Sequence, residues 1–211
     1  NKDTFRWQVP APPMSDFGLE SELDLRDYGY DTTLPWLDPE FGGPNYGEGK
    51  RQAESYLLRN ATFPVAVARL AHVLAFEDEF TGRFRFHYER VRDGKRMASF
   101  RDPGRMSYIS ASDCARFLAW LGRSEITGPV NAASPDAADI YRMTAYMADV
   151  IGGRAVVEEV DDAPADLDLS AFSCPADNGV SVTLATEAGY RFTEISSWLP
   201  KITLAAAEAE V

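Results

Sequence analysis

Residues 64–74 (Pro-Val-Ala-Val-Ala-Arg-Leu-Ala-His-Val-Leu) form an apolar, partly β-branched run lodged between two helical patterns. Its length and flanks favour a strand buried in a parallel sheet over a helix. Such a strand needs a covering layer on each side. A helix that enters it through a short turn is half of a right-handed crossover unit. The same alternation continues along the chain. Helices are predicted over residues 46–60, 80–93, 114–121, 139–151 and 195–207, with a shorter one ending at 186–189. Strands are predicted over 96–100, 106–110, 128–133 and 155–160. Gly94 and the Gly152-Gly153 pair read as helix stops. Ser112 or Asp113 reads as the cap of the 114–121 helix, whose Phe117, Leu118 and Leu121 share a face. Helices alternating with strands predict an α/β protein whose parallel sheet is covered by helices.

Residues 1–45 have a different texture. Pro10, Pro12, Pro13, Pro35, Pro39 and Pro44 interrupt any helix there, and only residues 4–9 suggest a short strand. The acidic, aromatic stretch 16–38 reads as a long surface loop, a lid or a linker. The expected division is therefore an irregular segment, 1–45, and an α/β body, 46–211. The first residue is Asn, and no strand with a Gly-rich turn opens the chain. Both features predict a processed, truncated or incompletely represented protein.

The chain has 33 acidic and 21 basic residues, a net charge of -12. A nucleic-acid surface needs a basic stripe, so that balance argues against nucleic acid and against anionic membrane. No apolar run approaches the ~20 residues of a membrane span. Cys114 and Cys174 lack metal-ligand spacing and read as two free thiols of a cytoplasmic protein, with a disulfide between them the alternative. His72 and His87 lie far from any ligand pattern, which argues against a zinc site. Arg83, Arg85, Arg90 and Arg92 crowd the 80–93 helix. They read either as a solvated, salt-bridged face or as a clamp for phosphate or carboxylate.

Tyr46-Gly47-Glu48-Gly49-Lys50 opens the first helix. Residues four apart share a helix face. Tyr46 and Lys50 therefore face one small volume, and a cation beside a phenol favours phenolate. Such a phenol can move a proton during hydroxyl–carbonyl chemistry. Taken alone, this spacing more often marks a solvated helix face than a catalytic site.

Five segments in the same order raise its significance. They are Tyr46-Gly47-Glu48-Gly49-Lys50 with Ala53-Glu54; Arg69-Leu70-Ala71-His72-Val73-Leu74; Arg105-Met106-Ser107-Tyr108-Ile109 leading to Asp113-Cys114-Ala115; Gly128-Pro129-Val130-Asn131; and Ala188-Gly189-Tyr190 with Trp198-Leu199. Over residues 46–201 this order resembles the extended short-chain dehydrogenase/reductase family, of the NAD-dependent epimerase/dehydratase type. The resemblance implies a partial Rossmann-like parallel sheet with helices on both faces and a small C-terminal α/β substrate-binding part. It implies NAD or NADP as cofactor, Tyr46 as general acid/base, and Lys50 as its activator and a donor to the nicotinamide ribose. It further implies that backbone around Leu70 and His72 meets the nicotinamide, and that Arg83 and Arg105 hold a substrate anion. The substrate would be a small hydroxyl or carbonyl compound, among which nucleotide sugars are one class.

The chain departs from the family in three ways. The Gly-x-x-Gly-x-x-Gly run that grips pyrophosphate is absent. The family's Arg-Pro is Arg69-Leu70 here. The Ser or Thr that polarises substrate has no clear counterpart, with Ser15, Ser21, Thr32 and Thr33 as candidates by proximity. These departures leave open a non-catalytic relative that binds a ligand or a partner chain, and, against the charge, an RNA-associated one. A parallel sheet cut through its middle would also associate through its exposed edge, as a homo-oligomer or with another chain.

Overall fold

The computed structural model describes residues 17–77, 80–162 and 167–210. The strand expected over residues 4–9 and the candidate Ser15 lie outside them. In chain order the elements are β1 (Phe17–Gly18), α1 (Pro39–Gly42), α2 (Tyr46–Asn60), β2 (Ala66–Leu70), β3 (His72–Leu74), α3 (Arg83–Asp93), β4 (Arg96–Phe100), β5 (Met106–Ser110), α4 (Ala111–Leu121), β6 (Gly128–Ala132), β7 (Ala137–Ala138), α5 (Ile140–Ile151), β8 (Val156–Val160), β9 (Gly179–Val180), α6 (Thr183–Glu187) and α7 (Ile195–Glu208).

Strand pairing is parallel for β2 with β6, β3 with β5, β4 with β8 and β1 with β9. The short β7 runs antiparallel to β5. All of β5 is buried. Its neighbouring side chains point to opposite faces, so Met106 and Tyr108 enter one apolar layer and Ile109 enters another. The first layer is filled from α3, α5 and α7 by Phe84, Val91, Met143, Met147 and Leu199. The second is filled by Cys114, Phe117 and Leu121 of α4 and Ala185 of α6 against Val130. Helices thus cover both faces of β5, and among the described residues the strands pair largely in parallel within four small sheets rather than one, an α/β architecture as expected from the alternation.

Several expectations need correction. The 64–74 run is two strands. β2 pairs with β6, the Ala71 N–H still donates to Ala132 O at 3.0 Å, and β3 then moves across to β5. The second helix starts at Arg83 rather than residue 80, because Gly82 takes a left-handed φ of 66° that a helix cannot propagate through. The cap of α4 is Ser110, whose Oγ accepts from the Asp113 N–H. Asp113 is instead buried and accepts from the Tyr190 hydroxyl at 2.6 Å and the Thr193 N–H at 2.7 Å. Leu118 turns outward, 45% exposed, while Phe117 and Leu121 face the core. The start of the 16–38 loop is tied down. β1 pairs with β9, and the buried Asn131 amide donates to Gly18 O at 2.9 Å and Ser181 O at 3.0 Å.

His87 illustrates how the helical layer is fastened. Its Nδ1 lies 2.6 Å from Arg83 O, a group that only accepts, so Nδ1 carries the proton. Nε2 then accepts from the Ser170 hydroxyl at 2.6 Å. The ring stacks on Phe172 at 3.6 Å. This buried His–Ser pair has no opening to solvent and joins α3 to the segment after β8. Arg90 and Arg92 are taken up by Asp168 and by Asp93 with Glu210, the salt-bridged reading of that basic helix.

Candidate functional site

Helix α2 buries its charged side. Glu48, Arg51, Gln52, Glu54 and Ser55 are the residues it hides. Burying them is tolerated because each is paired. Glu48 accepts from Arg51 and from the Tyr28 hydroxyl, both at 2.8 Å, and from the Gln52 amide at 2.8 Å. Burial pushes its carboxyl upward, but the bonds from Gln52, Tyr28 and Arg51 outweigh that and hold it below the usual range. The Gln52 carbonyl accepts from the Asp31 N–H at 2.8 Å, and the Ser55 hydroxyl donates to Tyr28 O at 2.6 Å. Glu54 pairs with Arg69 of β2 at 2.6 Å, and Arg69 also donates to Leu23 O at 2.7 Å. The helix is thereby bolted to β2 on one side and to residues 20–31 on the other.

The opposite stripe of α2 is left open. Tyr46, Gly49, Lys50, Ala53, Tyr56 and Leu57 follow helical spacing, and all line one cavity of 620 Å³. The far wall comes from Tyr30, Asp31, Thr32 and Trp36. Lys50 Nζ lies 5.1 Å from the centre of the Tyr46 ring, so the expected sharing of a face is present. Tyr46 is 61% exposed and opens to solvent.

The loop before α2 is shaped to bring that wall in. Asp38 caps α1, with Pro39 at its first position, and accepts the Glu40 N–H at 2.9 Å. A Cβ on Gly42 would lie 2.3 Å from Trp36 O, so only glycine permits this close return.

The remaining residues singled out in the sequence fall elsewhere. Leu70 ends β2, 41% exposed. His72 begins β3, with its ring 5.9 Å from that of Tyr108. Burial, and then the charge of Arg83, push the His72 imidazole down to about 4. The Tyr108 hydroxyl is buried with no hydrogen-bond partner among the described residues. Its phenol is pushed far up by burial and then by Cys174 and Asp139, with Arg83 opposing. Arg83 makes no ion pair among the described residues, and its charge acts on both the His72 ring and the Tyr108 phenol. Arg105 is held by Asp177, whose Oδ2 accepts from both Nε and Nη2 of the guanidinium, with the Phe17 ring 5.1 Å away. Neither Arg83 nor Arg105 lines the Tyr46 cavity. Of the candidate hydroxyls, Thr32 lines it. Thr33 donates to Asp31 at 2.6 Å, and Ser21 lines a separate hollow beside Asp24 and Arg26. Trp36 and Tyr30 escaped the sequence reading, although their place in a proline-bounded aromatic loop ahead of the Tyr46 helix was a usable signal.

No protein-family model matches the chain, and no curated protein does. Solved structures do match. The UDP-glucose 4-epimerase of Thermus thermophilus, in complex with NAD, superposes with a TM-score of 0.59 at 13% identity, covering 81% of this chain and 54% of that one. The chain shares the fold of nucleotide-sugar 4-epimerases. The Bacillus cereus UDP-glucuronic acid 4-epimerase, in complex with UDP-glucuronic acid and NAD, gives 0.59 at 14% identity, over 87% of this chain and 57% of that one. The Bordetella bronchiseptica enzyme WbmG, in complex with NAD and UDP, gives 0.59 at 20%, over 78% and 51%. The chain thus spans little more than half the length of these epimerase-fold structures. Their Rossmann-like fold is the one the five ordered segments implied.

Proposed function

We propose that this chain carries the acid/base end of an NAD(P)-dependent oxidoreductase, epimerase or dehydratase acting on a hydroxyl or carbonyl carbon of a small molecule. The supporting observation is that Tyr46 and Lys50 open, on one helix face, into one 620 Å³ cavity. The Tyr46 hydroxyl gives its proton to a carbonyl oxygen, or takes one from a hydroxyl. The Lys50 ammonium offsets the charge left on the phenol oxygen. Thr32, on the facing wall, offers the hydroxyl that orients the substrate oxygen.

In this reading Lys50 would hold one end of a dinucleotide, although Leu70 and His72 do not line its cavity. Lys50 has three donors and no ion pair among the described residues, which suits ribose hydroxyls. Leu70 lies at the carboxyl end of a parallel strand, where ligands of such sheets sit, and His72 follows it. Nicotinamide, when bound, supplies the hydride acceptor and donor. Arg83 is the group that would meet a substrate anion, with Arg105 available only by leaving Asp177.

The test is turnover of the whole protein with NAD(P) and a panel of alcohols and ketones. General acid/base catalysis contributes about 10²–10⁴-fold, so Tyr46→Phe should lower kcat by about 10² or more with unchanged circular dichroism. Unchanged kcat removes Tyr46 from the mechanism.

A second reading, a relative that binds without turnover, is favoured by Ser21 and Thr33, two of the candidate substrate-polarising hydroxyls, which do not line the Tyr46 cavity. Titration with NAD and NADP separates the two. Saturable binding without any turnover supports the second.

A further inference from the structure

The cavity beside Tyr46 is unusual in what lines it. Four aromatic rings, Tyr30, Trp36, Tyr46 and Tyr56, surround 620 Å³, a volume within the ~300–1,000 Å³ of small-molecule sites. Two of them are fixed in place. Trp36 donates from Nε1 to Asp31 O at 3.0 Å and meets Phe41 edge-on at 5.2 Å. Tyr30 packs edge-on to Tyr56 at 5.2 Å, and its hydroxyl accepts from the Asn60 amide at 2.9 Å.

Gly49 is what admits Trp36. A Cβ at position 49 would lie 3.3 Å from Trp36 Cε3 and 3.4 Å from Cζ3. The indole therefore rests on the turn of α2 between Tyr46 and Lys50, so that a Cβ at 49 would have to push it back by a few tenths of an ångström.

The charges are few and opposed. Lys50 and Asp31 are the two charged side chains in the wall. The Asp31 carboxyl is held below the usual carboxylate range by the Thr33 hydroxyl and N–H, so it stays negative beside the lysine. A diphosphate entering here would meet one cation and one carboxylate, a wall with no net positive charge to hold it. The two arginines suited to an anion lie elsewhere, one of them held by Asp177.

We infer that this cavity takes a neutral, planar, unsaturated ring bearing a ketone or hydroxyl, stacked against Trp36 with its oxygen toward Tyr46. The inference rests on the Tyr46 reading for what is done to that oxygen, and stands apart from it for the binding itself. Trp36 is then the specificity-determining residue, and Gly49 is the residue that seats it.

The experiment is a calorimetric titration of the chain with 1-tetralone and, separately, with UDP-glucose. 1-Tetralone should bind at least about tenfold more tightly, because the wall offers aromatic stacking and no net positive charge for a diphosphate. Trp36→Ala should weaken 1-tetralone by about tenfold. Gly49→Leu, which improves helix propensity and so keeps the helix, should weaken it similarly by displacing the indole. Tyr46→Phe keeps the ring but removes the hydroxyl that meets the ligand oxygen, so it should weaken 1-tetralone less than Trp36→Ala does. No saturable 1-tetralone binding, tighter UDP-glucose binding, or indifference to both Trp36→Ala and Gly49→Leu each overturns the inference. If Tyr46→Phe leaves both turnover and binding untouched, the acid/base proposal fails while the ring site stands.

Discussion

Acid should loosen this fold before its carboxylates titrate, and the two histidines set the amount. Both are held at about 4 by burial, opposed in His87 by the hydrogen bond to Arg83 O and aided in His72 by the charge of Arg83, against an ordinary value of 6.5. A histidine whose folded value lies below its unfolded one is protonated first in the unfolded chain. Its stabilising share is complete above pH 6.5, drains as pH falls, and is gone once both states are protonated below about 4. At pH 5 the linkage relation removes about 2 kcal/mol for each histidine, or about 4 kcal/mol for the pair. That is a large share of the ~5–15 kcal/mol typical of a domain. The perturbed carboxyls do not contribute in this window, since Asp24 at about 2, and Asp177 and Glu48 below their usual range, titrate under pH 5. Urea unfolding at pH 7.5, 6 and 5 reads the loss as a falling midpoint, and His72→Asn should remove about half of the pH dependence. Because the chain has two histidines, their ring resonances report each titration directly. A midpoint constant from pH 7.5 to 5, or a histidine titrating near 6.5 in the folded protein, refutes the burial argument.

The Arg69–Glu54 pair joins β2 to the helix that carries Tyr46, with side chains 18% and 8% exposed. Arg69→Ala leaves a buried carboxylate alone and should cost ~3–5 kcal/mol in urea melts, while the double change Arg69→Met with Glu54→Leu should recover most of it. A Cβ on Gly104 would lie 2.0 Å from the Ala176 carbonyl carbon, so Gly104→Ala should destabilise by ~1–3 kcal/mol and loosen the segment around Cys174, read as faster labelling of that thiol. The outer side of β2 has no strand partner among the described residues, so the chain should associate through that edge. Light scattering that finds a monodisperse monomer counts against it.

Much of the architecture was written in local pattern. The bounds of α2 follow from Tyr46 to Asn60, and Asp139 before α5 and Gly94 after α3 act as cap and stop, because caps and periodicity involve residues within a turn of each other. The Tyr46–Lys50 face was legible for the same reason, since helical spacing alone puts them together.

What lay beyond sequence reading were choices made between distant residues. Nothing near Ala71 announces that the strand changes partners there, since both halves are equally apolar and the switch depends on where β5 and β6 lie. The burial of the charged side of α2 reverses the usual hydrophobic rule, and it holds because Tyr28, Asp31 and Arg69 arrive to satisfy it. His87 meets Ser170 across 83 positions, with no mutual signal in either neighbourhood. The chain by itself determined its helices, its strands and the paired phenol and ammonium, because those depend on neighbours a few residues away. Only tertiary packing decided which side of the Tyr46 helix stays open and that an indole from the preceding loop closes it, because such contacts are selected by the free energy of the whole fold and leave no local trace.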